Sequence, residues 1–293
     1  MSPSELRTTS GDGEPLAYRV HGAGARAPML TAHGLVSSAH HWRYFTPHFA
    51  ASRPVVSWEY RGHGGLPAPR APEAVTVGLF ADDARAVWQA SGQPPAVVVG
   101  LSFGVQVALE IWRRHRDMVR ALVLICGTPG HPLDRLSPSP ALRRAAIGLV
   151  RGFGRQPRLA DLVLGGLRRP AGLRMARALA YATGGAHRDA CPAEVLDGLF
   201  GHVAGLPPAL IGHVTAAYLE HSADDVLPTI TVPTLIIAGD RDQLTPVATA
   251  ERMQRAIPGS ELVVFPGHTH LVQVEQPVAV HATIDAFLAR HAL

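Results

Sequence analysis

Apolar positions along the chain fall into two rhythms. Short unbroken runs occur at 29–32, 55–58, 96–99, 122–125, 234–238 and 261–265, and runs of that length without a helical period predict strands, with 96–99 buried on both faces. Between them, Phe80, Ala84, Val87 and Trp88, and then the stretch 103–115, repeat at helical spacing. Two further strands, at 6–9 and 16–20, flank Gly11, Asp12 and Gly13, which predicts a hairpin. Strands alternating with helices imply an α/β fold: a mostly parallel, doubly wound sheet covered on both faces.

The alternation stops at Gly127, Thr128, Pro129 and Gly130. From there to about residue 225 the signals are helical only. Leu142, Ala145, Ala146, Leu149, Val150 and Phe153 form one apolar stripe opposite Arg144 and Arg151. Leu159, Leu162, Val163 and Leu167 form a second, and Leu210, Val214, Ala217 and Tyr218 a third. The expected division is a sheet domain of residues 1–128 and 226–293, interrupted after its sixth strand by an all-helical cap at 129–225. A helix over 277–292 closes the chain.

Composition narrows the function classes. With 47% hydrophobic and 17% charged residues in 293, and no long charge block, the chain reads as globular. All 27 basic residues are Arg, and neither Lys nor Asn occurs; a GC-rich coding bias explains this, and N-glycosylation is excluded. The densest basic cluster, 112–120, ends an apolar helix, where cations offset the helix dipole, so no nucleic-acid partner is expected. Cys126 and Cys191 make neither a disulfide framework nor zinc spacing, and Cys126 reads as a small buried hydrophobe. Residues Met1 to Arg7 lack the apolar core of a signal peptide. The longest stretch free of Asp, Glu and Arg, 86–109, is broken by Gly92, Pro94 and Pro95, so no membrane span is expected and the protein reads as cytoplasmic.

The chemistry concentrates in three places. Gly100, Leu101, Ser102, Phe103 and Gly104 lie between a buried strand and an apolar helix. A serine on such a sharp turn is forced into a strained conformation beside a helix N-terminus; the bland alternative is a bystander serine in a glycine-rich turn. A hydroxyl needs a base to act as a nucleophile near neutral pH. Downstream, Asp240 and Asp242 follow one strand, and His268 and His270 follow the last. The order Ser, Asp, His, each at a strand's carboxyl end, is that of a nucleophile–acid–base set on this architecture. The residues alone leave Asp240 against Asp242, and His268 against His270, open. Metal binding by His268 and His270 or by His40 and His41 is disfavoured, because no third ligand lies at a completing spacing and 16 histidines make neighbours common.

With these motifs the sequence resembles the α/β-hydrolase fold superfamily, in its capped serine esterase and lipase-like group, over 16–127 and 225–293; the cap is only generically similar. His33 and Gly34 match the family's oxyanion loop, which implies an oxyanion hole from the N–H groups of Leu35 and Phe103. His33, Gly34, Val36 and Trp42 are then expected at the substrate pocket, although Trp42, Phe45 and Phe49 also form a stripe that reads as core. The segment from Glu59 to Gly64 matches the turn D-x-R-G-x-G with Glu in place of Asp, and Val105 replaces a glycine frequent after the serine; the first is read as structural and the second bears on helix packing. The pattern Gly239-x-x-Asp selects Asp242, leaving Asp240 to pair with turn backbone or an Arg. The family's other acid position, here Cys126, Gly127 and Thr128, carries no carboxylate. A histidine five residues before the Glu of Glu275-x-Pro277 selects His270.

The implied activity is a serine hydrolase that cleaves short to medium, neutral carboxylic esters through an acyl-enzyme on Ser102, with a small-molecule substrate and no metal or organic cofactor. Other Ser-His-Asp chemistry (acyl transfer, carbon–carbon or amide hydrolysis, perhydrolysis) is the alternative, and a non-catalytic ligand receptor a more distant one. Relatives that open epoxides or remove halides carry Asp where this chain has Ser102. The apolar cap stripes are expected to face the sheet domain over Ser102.

Overall fold

The computed structural model describes residues 4–135, 139–153 and 155–293. Residues 1–3 of the N-terminal reading, and 136–138 and 154 of the expected cap, lie outside the described residues. In chain order the elements are β1 (Leu6–Thr9), β2 (Pro15–His21), β3 (Met29–Ala32), α1 (Phe45–Ala50), β4 (Val55–Glu59), α2 (Val77–Ser91), β5 (Ala96–Leu101), α3 (Phe103–Arg114) and β6 (Val119–Ile125). Five helices follow: α4 (Pro140–Phe153), α5 (Pro157–Leu167), α6 (Pro170–Ala182), α7 (Ala193–Gly205) and α8 (Pro208–Glu220). The chain then returns through β7 (Thr234–Gly239), α9 (Val247–Ala256), β8 (Glu261–Phe265), α10 (Val272–Glu275) and α11 (Pro277–Arg290).

The strands form one sheet in the order β1-β2-β4-β3-β5-β6-β7-β8. β1 and β2, and β2 and β4, run antiparallel; every later pair is parallel. β5 and β7 are buried at every position, which is why they read as unalternating apolar runs. One face packs Phe80, Val87, Phe103, Ile111 and Trp112 from α2 and α3. The other packs Phe45 and Phe49 from α1 and Ile284 and Phe287 from α11.

Register sets the function. Ala32 pairs with Gly100, Leu101 with Ile125, Ile125 with Ile237 and Gly239 with Phe265. The carboxyl ends of β3, β5, β7 and β8 are therefore level, and the loops beginning near 33, 102, 240 and 266 rise from one edge, the usual place for a site in such a sheet.

Two features hold this frame. Arg61, in the turn after β4, forks onto the buried Asp83 of α2 (Nε–Oδ2 2.8 Å, Nη2–Oδ1 2.7 Å) and also donates to Asp12 in the hairpin turn (2.8 Å). This joins three segments through one planar cation, as the structural reading of that turn expects. The helical excursion leaves and rejoins the sheet at a clasp. Gly130 and Ser222 form an antiparallel bridge, flanked by hydrogen bonds from His131 N–H to His221 O (3.1 Å) and from Ala223 N–H to Pro129 O (2.9 Å). Among the described residues no single helix is long and apolar enough to cross a membrane.

Candidate active site

Ser102 sits between β5 and α3 with φ +56° and ψ −115°, a region L-residues rarely adopt. Its amide donates to Ile125 O (2.9 Å) and its carbonyl accepts from Val105 N–H (3.0 Å). The turn is tight enough to demand glycine at two places. A Cβ on Gly100 would stand 2.3 Å from Gly104 O, and one on Gly104 would stand 2.1 Å from Ala32 O.

His270, in the loop after β8, reaches Ser102: Nε2 lies 2.9 Å from Oγ. Its Nδ1 lies 2.8 Å from Asp242 Oδ2. An ionised carboxylate only accepts, so Nδ1 carries the proton and Nε2 is left as the acceptor for the serine hydroxyl. Asp242 is buried, which by itself raises its pKa. The facing imidazole and the hydrogen bonds from His270 and Thr245 outweigh that, and the carboxyl is held below its ordinary range. Its oxygens also accept from Leu244 N–H (2.8 Å), Thr245 N–H (2.9 Å) and Thr245 Oγ1 (2.7 Å).

The rejected partners lie elsewhere. Asp240 accepts from Gly267 N–H (2.6 Å), a backbone contact that braces the histidine loop. His268 Nδ1 is 3.2 Å from Glu275 Oε2. Glu275, fully buried, also accepts from Thr269 N–H (2.9 Å), from the Thr269 hydroxyl and from His187 N–H (2.8 Å). One carboxylate thus ties the segment bearing His270 to the stretch between α6 and α7. Sequence reasoning gave Glu275 only as a spacing marker, and nothing in the pattern pointed to Thr245 or His187. Cys126 is buried and its thiol faces Thr269 O; burial pushes its pKa well above the ordinary thiol value.

The loop after β3 brings Gly34 against Ser102: a Cβ on Gly34 would lie 3.7 Å from Ser102 Cβ. Phe103 is the first residue of α3, so its N–H has no intrahelical partner. Val36 has φ +45°, and Ser37 N–H closes the turn onto Gly34 O (3.3 Å). Three of the expected pocket residues do something else. His33 is fully buried, accepting from Trp42 Nε1 (2.8 Å) and donating to Trp58 O, so both ring nitrogens are used in anchoring the loop to β4. Trp42 is fully buried in the core beside Phe45. Val36 lies outside the cavity lining and packs against the core under the turn. Gly34 does line the cavity, together with two residues missed in the sequence, Ser37 and His41, whose Oγ and Nδ1 are 3.0 Å apart.

That cavity measures about 590 Å³ and opens onto Ser102 and His270. Leu35 and Leu101 form its floor; Leu179 of α6, Leu196, Leu199 and Phe200 of α7 and Tyr218 of α8 form its roof. Thr183 and Gln243 add polar groups, and among the described residues no Arg, Asp or Glu lines it. The expectation for the apolar stripes therefore needs correction. α8 supplies the roof, but the stripes of α4 and α5 do not reach the cavity, and Leu142, Leu149, Leu159 and Leu162 face outward. Pro170 begins α6, the helix after those two, at the position where a helix tolerates proline.

Burial around the site has a measurable consequence. It holds His33 at about 4 and His41 and His63 at about 3, so all three are neutral in the fold and would charge near 6.5 when unfolded. The unfolded chain then binds more protons than the native one around pH 5, and His221 and His281, which burial holds at about 4, add to the difference. Asp83, raised by burial to about 6 despite Arg61, returns one. Stability is fully present only above the unfolded imidazole value of about 6.5 and falls with acid through pH 5. Urea titrations across that range should show this limb; a flat profile between pH 7 and 5 would contradict it.

Comparison with known proteins gives the family. Residues 20–283 match the family model described as the alpha/beta hydrolase family. Epoxide hydrolase A of Mycobacterium tuberculosis is 28% identical over 89% of each chain. A pimeloyl-(acyl-carrier protein) methyl ester esterase of Aromatoleum aromaticum is 30% identical over 86% of this chain and 94% of its own. The solved structure of an esterase from Exiguobacterium antarcticum superposes with a TM-score of 0.79, covering 99% of this chain and all of that one, at 20% identity, a likeness of fold.

Proposed function

Because the chain belongs to the alpha/beta hydrolase family, we propose that it is a serine hydrolase of neutral carboxylic esters, with Ser102, His270 and Asp242 as its catalytic set and the helices of 129–225 as its cap. The observation that carries this reading is the relay from Ser102 Oγ through His270 to Asp242, at 2.9 and 2.8 Å, opening into an apolar cavity. The serine, where epoxide-opening relatives carry Asp, favours acyl chemistry over epoxide opening.

In this reading Ser102 Oγ attacks the ester carbonyl carbon while its proton passes to His270 Nε2. The oxyanion is received by the N–H groups of Leu35 and Phe103, usually the largest electrostatic contribution, and the N-terminus of α3 favours the same charge. Collapse breaks the bond to the alcohol, whose oxygen takes the proton from His270. Water then gives a proton to His270 as its oxygen adds to the acyl carbon; the bond from that carbon to Ser102 Oγ breaks, Oγ takes the proton back from His270, and the acid leaves. Asp242 holds the imidazole in the tautomer that begins each half-reaction.

The lining sets the substrate class. With no charged group in the cavity besides the relay among the described residues, an anionic acyl group loses its hydration and gains no partner there, whereas each buried CH₂ contributes about 0.8 kcal/mol. On p-nitrophenyl esters from acetate upward, kcat/KM should rise about fourfold per added carbon over the first several. Anionic or sugar esters outperforming butyrate to octanoate would refute the substrate class. A protein that fluorophosphonates label but that cleaves no ester would act on another acyl bond; one they do not label would be a receptor.

A further inference from the structure

Seven of the ten large hydrophobic side chains exposed among the described residues lie on three consecutive helices. α4 presents Leu142 and Leu149, two turns apart. α5 presents Leu159, Leu162 and Val163, at the i, i+3, i+4 spacing of one face. α6 presents Met175 and Leu179, again one turn apart. Leu149, Leu162 and Met175 are more than 70% exposed, so these stripes are not covered by the other described residues. Over 140–182 the sequence holds nine arginines and one acidic residue, although the whole chain carries only +4. Arg151 and Arg177 are paired, to Glu220 and Asp197. Arg155, Arg158, Arg169 and Arg174 have no ion-pair partner among the described residues.

We infer that α4, α5 and α6 form a docking face for an anionic lipid bilayer. Outward apolar stripes flanked by arginine are what lets a helix lie in the headgroup layer, with aliphatic side chains below and cations at the phosphates. A second copy of this face would supply apolar surface but set one arginine cluster against another. An acidic protein would match the charge but provide no layer for seven aliphatic groups. The face is also continuous with the cavity, because Leu179 is both exposed and part of its lining. Docking would bring that wall of the cavity to the membrane, where apolar esters partition.

Flotation of the full chain with vesicles tests this without reference to catalysis. The protein should float with phosphatidylcholine vesicles containing one-third phosphatidylglycerol, fail to float with phosphatidylcholine alone, and detach at high salt. The double variant Arg158→Glu/Arg169→Glu should lower the partition coefficient at least about tenfold, and Leu162→Asp should lower it comparably. These side chains are exposed or outside the cavity, so hydrolysis of a water-soluble ester and the circular dichroism spectrum should stay as in the parent. No flotation with anionic vesicles at low salt, or flotation indifferent to both variants, would overturn the inference. Dimerisation abolished by Leu162→Asp without lipid binding would instead assign the face to a second copy. Binding of soluble polyglutamate with vesicles ignored would assign it to an acidic protein.

Discussion

Ser102→Ala is expected to lower kcat on an activated ester by about 10⁶-fold, to the residue of catalysis that an oxyanion hole and binding sustain alone. Labelling by a fluorophosphonate should disappear with it. The fold should survive, since the hydroxyl's hydrogen bond is to His270 and the backbone contacts that shape the turn remain. A second substitution separates chemistry from architecture. With φ at +56°, the serine stores strain of about 1–3 kcal/mol, which glycine would relieve. Ser102→Gly should be equally inactive yet unfold at a higher urea concentration than the parent. Activity above a few per cent in either variant would mean that another nucleophile does the work. A glycine variant less stable than the alanine one would mean the turn is not strained.

Asp242→Asn should cost about 10⁴ in kcat, with Asp240→Asn within about threefold of the parent. The asparagine can present an N–H toward His270 Nδ1, inverting the tautomer so that Nε2 carries the proton and cannot take one from Ser102. Asp240, bonded to Gly267 N–H, supports only the outer part of the histidine loop. The pair of variants therefore discriminates by chemistry, since both remove one charge from the same loop. Comparable, mild losses at both positions would require a different acid and would remove the relay as the basis of the proposed function.

The sheet was legible because its strands obey a simple rule: β3, β5 and β7 are buried on both faces and so read as uninterrupted apolar runs. The candidate site was legible for a related reason. Its loops follow those strands directly, and the turn at Ser102 tolerates only glycine at 100 and 104. What escaped was set by contacts across long separations. α9 was not foreseen, because it buries only Ala250 and Met253 and leaves little apolar rhythm. His33 and Trp42 were assigned to the pocket because they adjoin the oxyanion loop in sequence, and nothing local reveals that each satisfies the other's ring nitrogen. The helical segment misled most. Amphipathic stripes on α4 and α5 imply a buried partner, and their outward orientation depends on how the chain turns into α6, which spacing does not encode.

The clasp at Gly130 and Ser222 brings the two ends of the helical excursion together. Both ends of a 91-residue excursion, 131–221, meet at one antiparallel bridge, where backbones stand about 5 Å apart. The two attachment points are adjacent, but the excursion is also held to the sheet domain by Glu275, which accepts from His187 N–H, and by Leu210 and Val214, which pack in its core. A short turn grafted there would leave the loops at the carboxyl edge of the sheet open to solvent. A foreign helical module with neighbouring termini would re-roof it without disturbing strand register. Exchange at this seam reaches new substrate ranges only if the incoming module restores the contact that Glu275 makes with His187 N–H beside the relay, for an engineer as for evolution.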